Sequence, residues 1–291
     1  MSKLNEYTKK MLLALFPPVK QLKENCDSWH QAYVDMASQR DRLAQLLNSQ
    51  NSAPPLVRPR QILFLHLLRT SGTSLLNALM TACPGFSIIT MMPEEFDCDE
   101  DSRLREAGMI VGHWSRRHID RFCPNRFIFT FLRDPVERTL SNYYYYRNND
   151  IQVGEPHRSQ IIKIRSLSLR EFIESEDPEV IMYSQNTQTY ALADDWRSRR
   201  LPFGEDEAIL AKALRFLNEM DFVGFVEQHE KSVDQLGKLL GLNLSDIPHL
   251  NAAKNRTASA GISSAELSII RQRNQLDTKL YETALNRFGK T

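Results

Sequence analysis

Four apolar runs constrain this chain more than any other feature: "QILFLHL" (61–67), "GMIVGHW" (108–114), "RFIFTFL" (126–132) and "DFVGFVE" (221–227). A strand with one wet face alternates apolar and polar residues; these runs do not, so each needs cover on both sides. Between them lie segments with helical spacing. Residues 72–82 carry Leu75, Leu76 and Leu79, and "VERTLSNYYYYR" (136–147) and "KSVDQLGKLLGL" (231–242) follow later strands. Strands alternating with helices predict an α/β fold, a parallel sheet with helices on both faces. The 291 residues suffice for one such domain with an appendage.

The appendage is expected at 1–50. Leu22, Cys26, Trp29, Tyr33, Met36, Arg40, Leu43 and Leu47 recur in alternating steps of four and three, a heptad-like seam on one helix. Two readings stand: a helix packed on its own domain, or a coiled coil joining a homodimer. "NSQNSAPP" (48–55) is polar and proline-rich, so residues 51–59 read as a linker and 60–291 as the main domain.

Bulk properties exclude several classes. A formal net charge of +1 does not argue for nucleic acid or a membrane surface. No apolar run approaches the roughly 18 residues that span a bilayer. The four cysteines, Cys26, Cys83, Cys98 and Cys123, form no C-x-x-C pair and fit neither a zinc site nor a disulfide framework. They read as reduced thiols of a cytoplasmic protein. No metal site is expected. The acidic run "EEFDCDED" (94–101) reads as a solvated loop.

Chemistry concentrates at two strand-to-helix turns. After the first strand comes Arg69-Thr70-Ser71-Gly72-Thr73-Ser74. In open parallel sheets, ligands bind beyond the carboxyl ends of the strands, and a helix start there presents backbone N–H groups to an anion. Gly72 permits close backbone approach, Thr70, Ser71, Thr73 and Ser74 carry hydroxyls, and Arg69 a cationic fork. The loop is P-loop-like but lacks the Gly-Lys-Ser/Thr of a nucleoside-triphosphate loop. A plain turn capped by Ser and Thr is the alternative. The second turn is "FTFLRDPVERTLSNYYYYR" (129–147), where a strand ends in Arg133 and Ser141 follows within the helix. Arginine and serine so spaced can converge on one phosphate. An Arg–Asp pair at an ordinary helix start is the alternative.

Together, "FLHLLRTSGTS" and "FLRDPVERTLSNYYYY" resemble the two nucleotide signatures of sulfotransferases that use 3′-phosphoadenosine 5′-phosphosulfate (PAPS). The nearest likeness is to the carbohydrate O-sulfotransferase branch that includes the heparan sulfate 2-O-sulfotransferases. There the loops read like "FLHIPKTGGTS" and "FLRDPVERFLSHYYY". "IVGHW", "FVGFVEQHEKSVDQLGKLLGL" and "NQLDTKLYETAL" agree with further segments, so the resemblance covers about 60–288.

The resemblance implies a bacterial-type enzyme moving a sulfuryl group from PAPS to a hydroxyl of a glycan, glycolipid or small metabolite. Residues 69–74 would grip the 5′-phosphosulfate, and Arg133 with Ser141 the 3′-phosphate. Arg69 would stabilise the leaving phosphate oxygen and His113 act as general base. His66 is expected inside the first strand as a core residue. Arg116, Arg117 and "RSRR" (197–200) are either acceptor contacts or solvated charge. Asn186 and Gln188 are either substrate contacts or structural hydrogen bonders, and "LNAAKNRTAS" (250–259) reads as a loop over the nucleotide, closing through Asn255 and Arg256. Three departures fall in the first loop: Arg69 stands where the branch has lysine, Leu68 where it has proline and Ser71 where it has glycine. A small-molecule kinase and a non-catalytic nucleotide-binding protein on the same fold are the rivals.

Overall fold

The computed structural model describes residues 61–83, 86–89, 104, 106–112, 126–148, 158–193, 206–244 and 261–289. The helix expected at 1–50, the linker at 51–59, His113, residues 197–200 and the loop 250–259 lie outside the described residues.

The chain runs β1 (Ile62–Leu65), α1 (Gly72–Ala82), β2 (Ile88–Ile89), β3 (Met109–Gly112), β4 (Phe127–Leu132) and α2 (Pro135–Asn148). Among the described residues, the helices α3 (Arg158–Ser166), α4 (Leu169–Glu174), α5 (Pro178–Ser184), α6 (Thr187–Ala193) and α7 (Asp206–Glu219) follow. Then come β5 (Phe222–Phe225), a 3-10 turn (Val226–Gln228), α8 (His229–Leu240), α9 (Ser264–Arg273) and α10 (Gln275–Phe288). The strands form one parallel sheet in the order β2-β3-β1-β4-β5. The α/β fold with helices on both faces is therefore observed.

Strand alternation sorts the apolar runs onto two cores. Ile62, Phe64, Met109, Val111, Phe127, Phe129 and Phe131 face α1 and α8 through Leu75, Leu79, Val233 and Leu236. Leu63, Leu65, Ile110, Leu132, Val223 and Phe225 face α6, α7 and α10 through Leu192, Phe216, Leu217 and Leu280. Neither face meets water, which is why the strands read as continuous apolar runs. The first face is aromatic: Phe64 and Phe129 stack at 4.7 Å, and Phe131 meets Phe222 edge-on at 6.1 Å. Gly224 makes room for the Phe131 ring, since a Cβ there would lie 2.6 Å from it. Cys83, the one described cysteine, is free and buried, and burial pushes its thiol up to about 11.

The strands are shorter than their apolar runs. β1 ends at Leu65, so His66 is not a buried strand residue; it lies half-buried just past the sheet edge. Its backbone N–H still donates to Gly112 O at 2.9 Å before the chain turns away. β5 gives way at Val226 to the 3-10 turn, and α8 starts at His229 rather than Lys231.

A third cluster lies outside the two-sided sheet. Leu140 and Tyr143 of α2 pack with Ile164, Phe172, Ile173, Val180, Tyr183 and Ile270. Capping chemistry delimits the short helices. Ser168 and Glu171 form a capping box on α4, Ser263 and Glu266 another on α9, and Asp177 caps α5 with Pro178 in its first turn.

β1 and β4 are neighbours, yet the chain leaves β1 toward β2 on one side of the sheet and reaches β5 from β4 on the other. This is the switch point of the topology, where the loops after two adjacent strands diverge and leave a crevice at the carboxyl edge. Residues 66–71 and 133–134 flank that crevice.

Candidate functional site

The loop after β1 is shaped by backbone conformations that few side chains favour. Arg69 has φ 67° and Ser71 φ 64°, both left-handed without glycine. Thr70, between them, is fully buried and donates its hydroxyl to Leu67 O at 2.9 Å, so this hydroxyl is turned inward rather than toward the crevice. Ser71 precedes α1 without a side-chain cap bond, and α1 has no acidic residue in its first turn. A left-handed residue followed by a right-handed one aims successive N–H groups at one point, a backbone nest for an anion. The α1 dipole adds to it. Ser74 is buried and Thr73 exposed.

Gly72 is needed for a reason no local pattern shows. A Cβ there would stand 1.9 Å from Cδ2 and 2.0 Å from Nε2 of His66. The glycine makes space for the His66 ring, which leans on Phe64 at 5.7 Å.

The loop after β4 is held from several sides. Gln188 accepts from Arg133 N at 2.9 Å and donates Nε2 to Arg133 O at 2.8 Å, closing both backbone groups of that residue. Asp134 N donates to Glu227 Oε1 at 3.0 Å, and Tyr281 donates its hydroxyl to Glu227 Oε2 at 2.7 Å. The Asp134 carboxylate accepts from Val136 N and Glu137 N, each at 3.0 Å, and so caps α2 beside Pro135. Burial holds this carboxyl above the ordinary aspartate value, opposed by the Val136 N–H and by Arg271 and Arg133.

Behind Gln188 stands a buried carboxylate. Asp277 accepts from Gln188 N at 3.2 Å and from Thr189 N and Oγ1 at 2.7 Å each, capping α6 from α10. Its other neighbour is Arg138 Nε at 3.9 Å, both side chains having no exposure. Burial pulls the Arg138 guanidinium below its ordinary value, and Asp277 opposes that shift. Asn186 completes the frame: it adopts φ 45°, and its Oδ1 accepts from Leu276 N at 3.0 Å and Asp277 N at 3.2 Å. Asn186 and Gln188 are thus structural hydrogen bonders in this frame.

The two loops touch. Arg133 Nη1 donates to Arg69 O at 3.3 Å, and its Nη2 lies 3.8 Å from Glu137 Oε2. Arg69 Nε donates to Ser141 Oγ at 3.4 Å, and its guanidinium lies over the Tyr145 ring, 4.1 Å from the centroid. Burial lowers the Arg69 pKa from its usual value, while Tyr145 and then Tyr146 raise it. Arg69, Arg133 and Ser141, separated by up to 72 positions, therefore form one polar cluster at the crevice.

The sequence model of the sulfotransferase family matches residues 58–284, most of the chain and both loops of this cluster. The chain belongs to the sulfotransferase family. A sulfotransferase crystal structure from Alicyclobacillus acidocaldarius is similar at 16% identity and a TM-score of 0.45, covering 80% of this chain and 97% of that one. Among curated proteins, none matches this sulfotransferase-family chain significantly.

Among the described residues, no helix is long and apolar enough to cross a membrane, and no group of three or more His, Cys, Asp or Glu side chains is placed to hold a metal ion. Asp277, Glu227 and Tyr145 are the residues of this family member that sequence reading did not assign to the site. Only Tyr145 had a local signal, four positions after Ser141 on the same helix.

Proposed function

We propose that this sulfotransferase takes PAPS as donor and moves its sulfuryl group to a hydroxyl of a glycan, glycolipid or small metabolite. One observation carries the reading. The loop after β1 and the β4-to-α2 turn, linked by contacts 64 and 72 positions apart in sequence, bring a backbone nest, two arginines and a serine hydroxyl to one edge of the sheet. Such a set suits a ligand with anionic groups at two points, and PAPS has a 5′-phosphosulfate and a 3′-phosphate.

PAPS supplies an activated sulfuryl group, and the chain's residues supply the rest. The backbone N–H groups at Ser71, Gly72 and Thr73 hold the 5′ end, with Thr73 and Ser74 lining the helix start. Thr70 fixes the loop from within. Arg133 and Ser141 bond the 3′-phosphate through charge-assisted and hydroxyl contacts. Arg69 stabilises charge on the phosphate oxygen as the bridging S–O bond breaks. His113, next in sequence after the last residue of β3, takes the acceptor proton as the new O–S bond forms. The acceptor class, the likeness to the heparan sulfate 2-O branch and the role of His113 rest on the sequence resemblance.

Transfer of labelled sulfate from PAPS across a panel of glycans, glycolipids and small hydroxyl compounds tests this function. Product is expected with at least one acceptor class, and His113→Ala is expected to abolish it while 3′,5′-ADP still binds. Nucleotide binding with no transfer to any acceptor would instead mark a non-catalytic member.

A further inference from the structure

Arg69 reaches out of its own loop to a single face of α2. Ser141 and Tyr145 are four residues apart on that helix and so share a face. Ser141 accepts from Arg69 Nε, and Tyr145 receives the guanidinium on its ring. Tyr145 is 41% exposed. It is braced from behind: Tyr146 meets it edge-on at 5.3 Å, and Tyr146 meets buried Tyr183 edge-on at 5.2 Å.

A lysine ammonium is a compact charge that needs no particular plane, whereas a guanidinium spreads its charge over a flat fork, so orientation decides which N–H groups point at an anion. An aromatic face fixes that plane without occupying the N–H edge. We propose that Tyr145 is a positioning residue that sets the plane of the Arg69 guanidinium through its ring face. The pair Arg69–Tyr145 then does in this chain what a lysine does in the loop it resembles. This rests on the assignment of Arg69 to the leaving phosphate oxygen.

The test uses the full chain and four variants: Tyr145→Ala, Tyr145→Phe, Arg69→Lys and the double variant Arg69→Lys with Tyr145→Ala. Loss of one cation–ring contact predicts that Tyr145→Ala lowers kcat for transfer from PAPS by roughly tenfold, with 3′,5′-ADP affinity within about twofold. Tyr145→Phe, which keeps the ring face, restores what alanine removes. In the Arg69→Lys background the alanine substitution has little further effect, because no guanidinium plane remains to be set. A loss of that size that persists in the Arg69→Lys background, or one that phenylalanine shares, overturns the proposal. A wild-type chain that neither transfers sulfate nor binds 3′,5′-ADP refutes the donor assignment instead. The positioning role is then read from modification of Arg69 by phenylglyoxal, followed by peptide mass mapping. Faster modification in Tyr145→Ala but not in Tyr145→Phe supports the clamp, and equal rates in the wild type and both variants overturn it.

Discussion

The loop after β1 and the loop after β4 lie side by side at one edge of the sheet and are held in opposite ways. The second is tied through its backbone to distant elements: Gln188 closes both polar groups of Arg133, and Glu227 takes the N–H of Asp134. The first holds two non-glycine residues in left-handed conformations and is tied inwardly by the Thr70 hydroxyl. Arg133 Nη1 also supports it at Arg69 O. The fixed loop thus steadies the strained one. Strain of this kind persists only where surroundings over-determine it, and here it falls on the residues assigned to the transferring group.

Breaking the frame of the second loop should cost most. Asp277→Ala leaves Arg138 as an uncompensated buried charge and frees the start of α6, so an unfolding free energy lower by about 3–5 kcal/mol is expected in denaturant titration. A loss under about 1 kcal/mol would mean that Asp277 is not the anchor described. In the first loop, Gly72→Ala drives a methyl into the His66 ring. That places it near the top of the overpacking range, about 3 kcal/mol, and adding His66→Ala to Gly72→Ala should recover much of it if the ring is the obstacle. Gln188→Ala removes two hydrogen bonds to Arg133. It should cost about 2 kcal/mol and weaken 3′,5′-ADP binding. Unchanged affinity would mean that the second loop keeps its shape without this clamp. Smallest is Ser71→Gly, which relieves a left-handed serine at some cost in chain entropy: a stability change within about 1 kcal/mol, in the stabilising direction, is expected by thermal unfolding.

Four strands of the sheet were legible because burial on both faces leaves continuous apolar runs, as around Phe64 and Phe129, whereas the two-residue, partly buried edge strand β2 leaves no such run. The helices α1 and α2 were legible from their spacing and from Asp134-Pro135. Helices α3 to α7, α9 and α10 were not read as helices. Of these, α3 to α5 are short and packed in the cluster with α2, and α6 is short and packed on α7 and α10, so no long periodic stripe marks them. Ser168 with Glu171 and Asp177 with Pro178 were the local signals available. The loop residues were identifiable from sequence, but their geometry was not: nothing local announces that Arg69 and Ser71 are left-handed, or that Thr70 turns inward. Gln188 and Asp277 act on Arg133 and Thr189 from 55 and 88 positions away, a relation that spacing does not encode.

The central claim is that this crevice holds a nucleotide with phosphates at both the 5′ and the 3′ positions. Calorimetric titration of 3′,5′-ADP, without magnesium, into the wild-type chain and Arg133→Ala tests it most directly. The expected result is metal-independent binding by the wild type and an affinity roughly 10- to 100-fold weaker in the variant, the worth of a charge-assisted phosphate contact. Equal affinities for the two proteins, or binding that requires magnesium and prefers ATP, would contradict it.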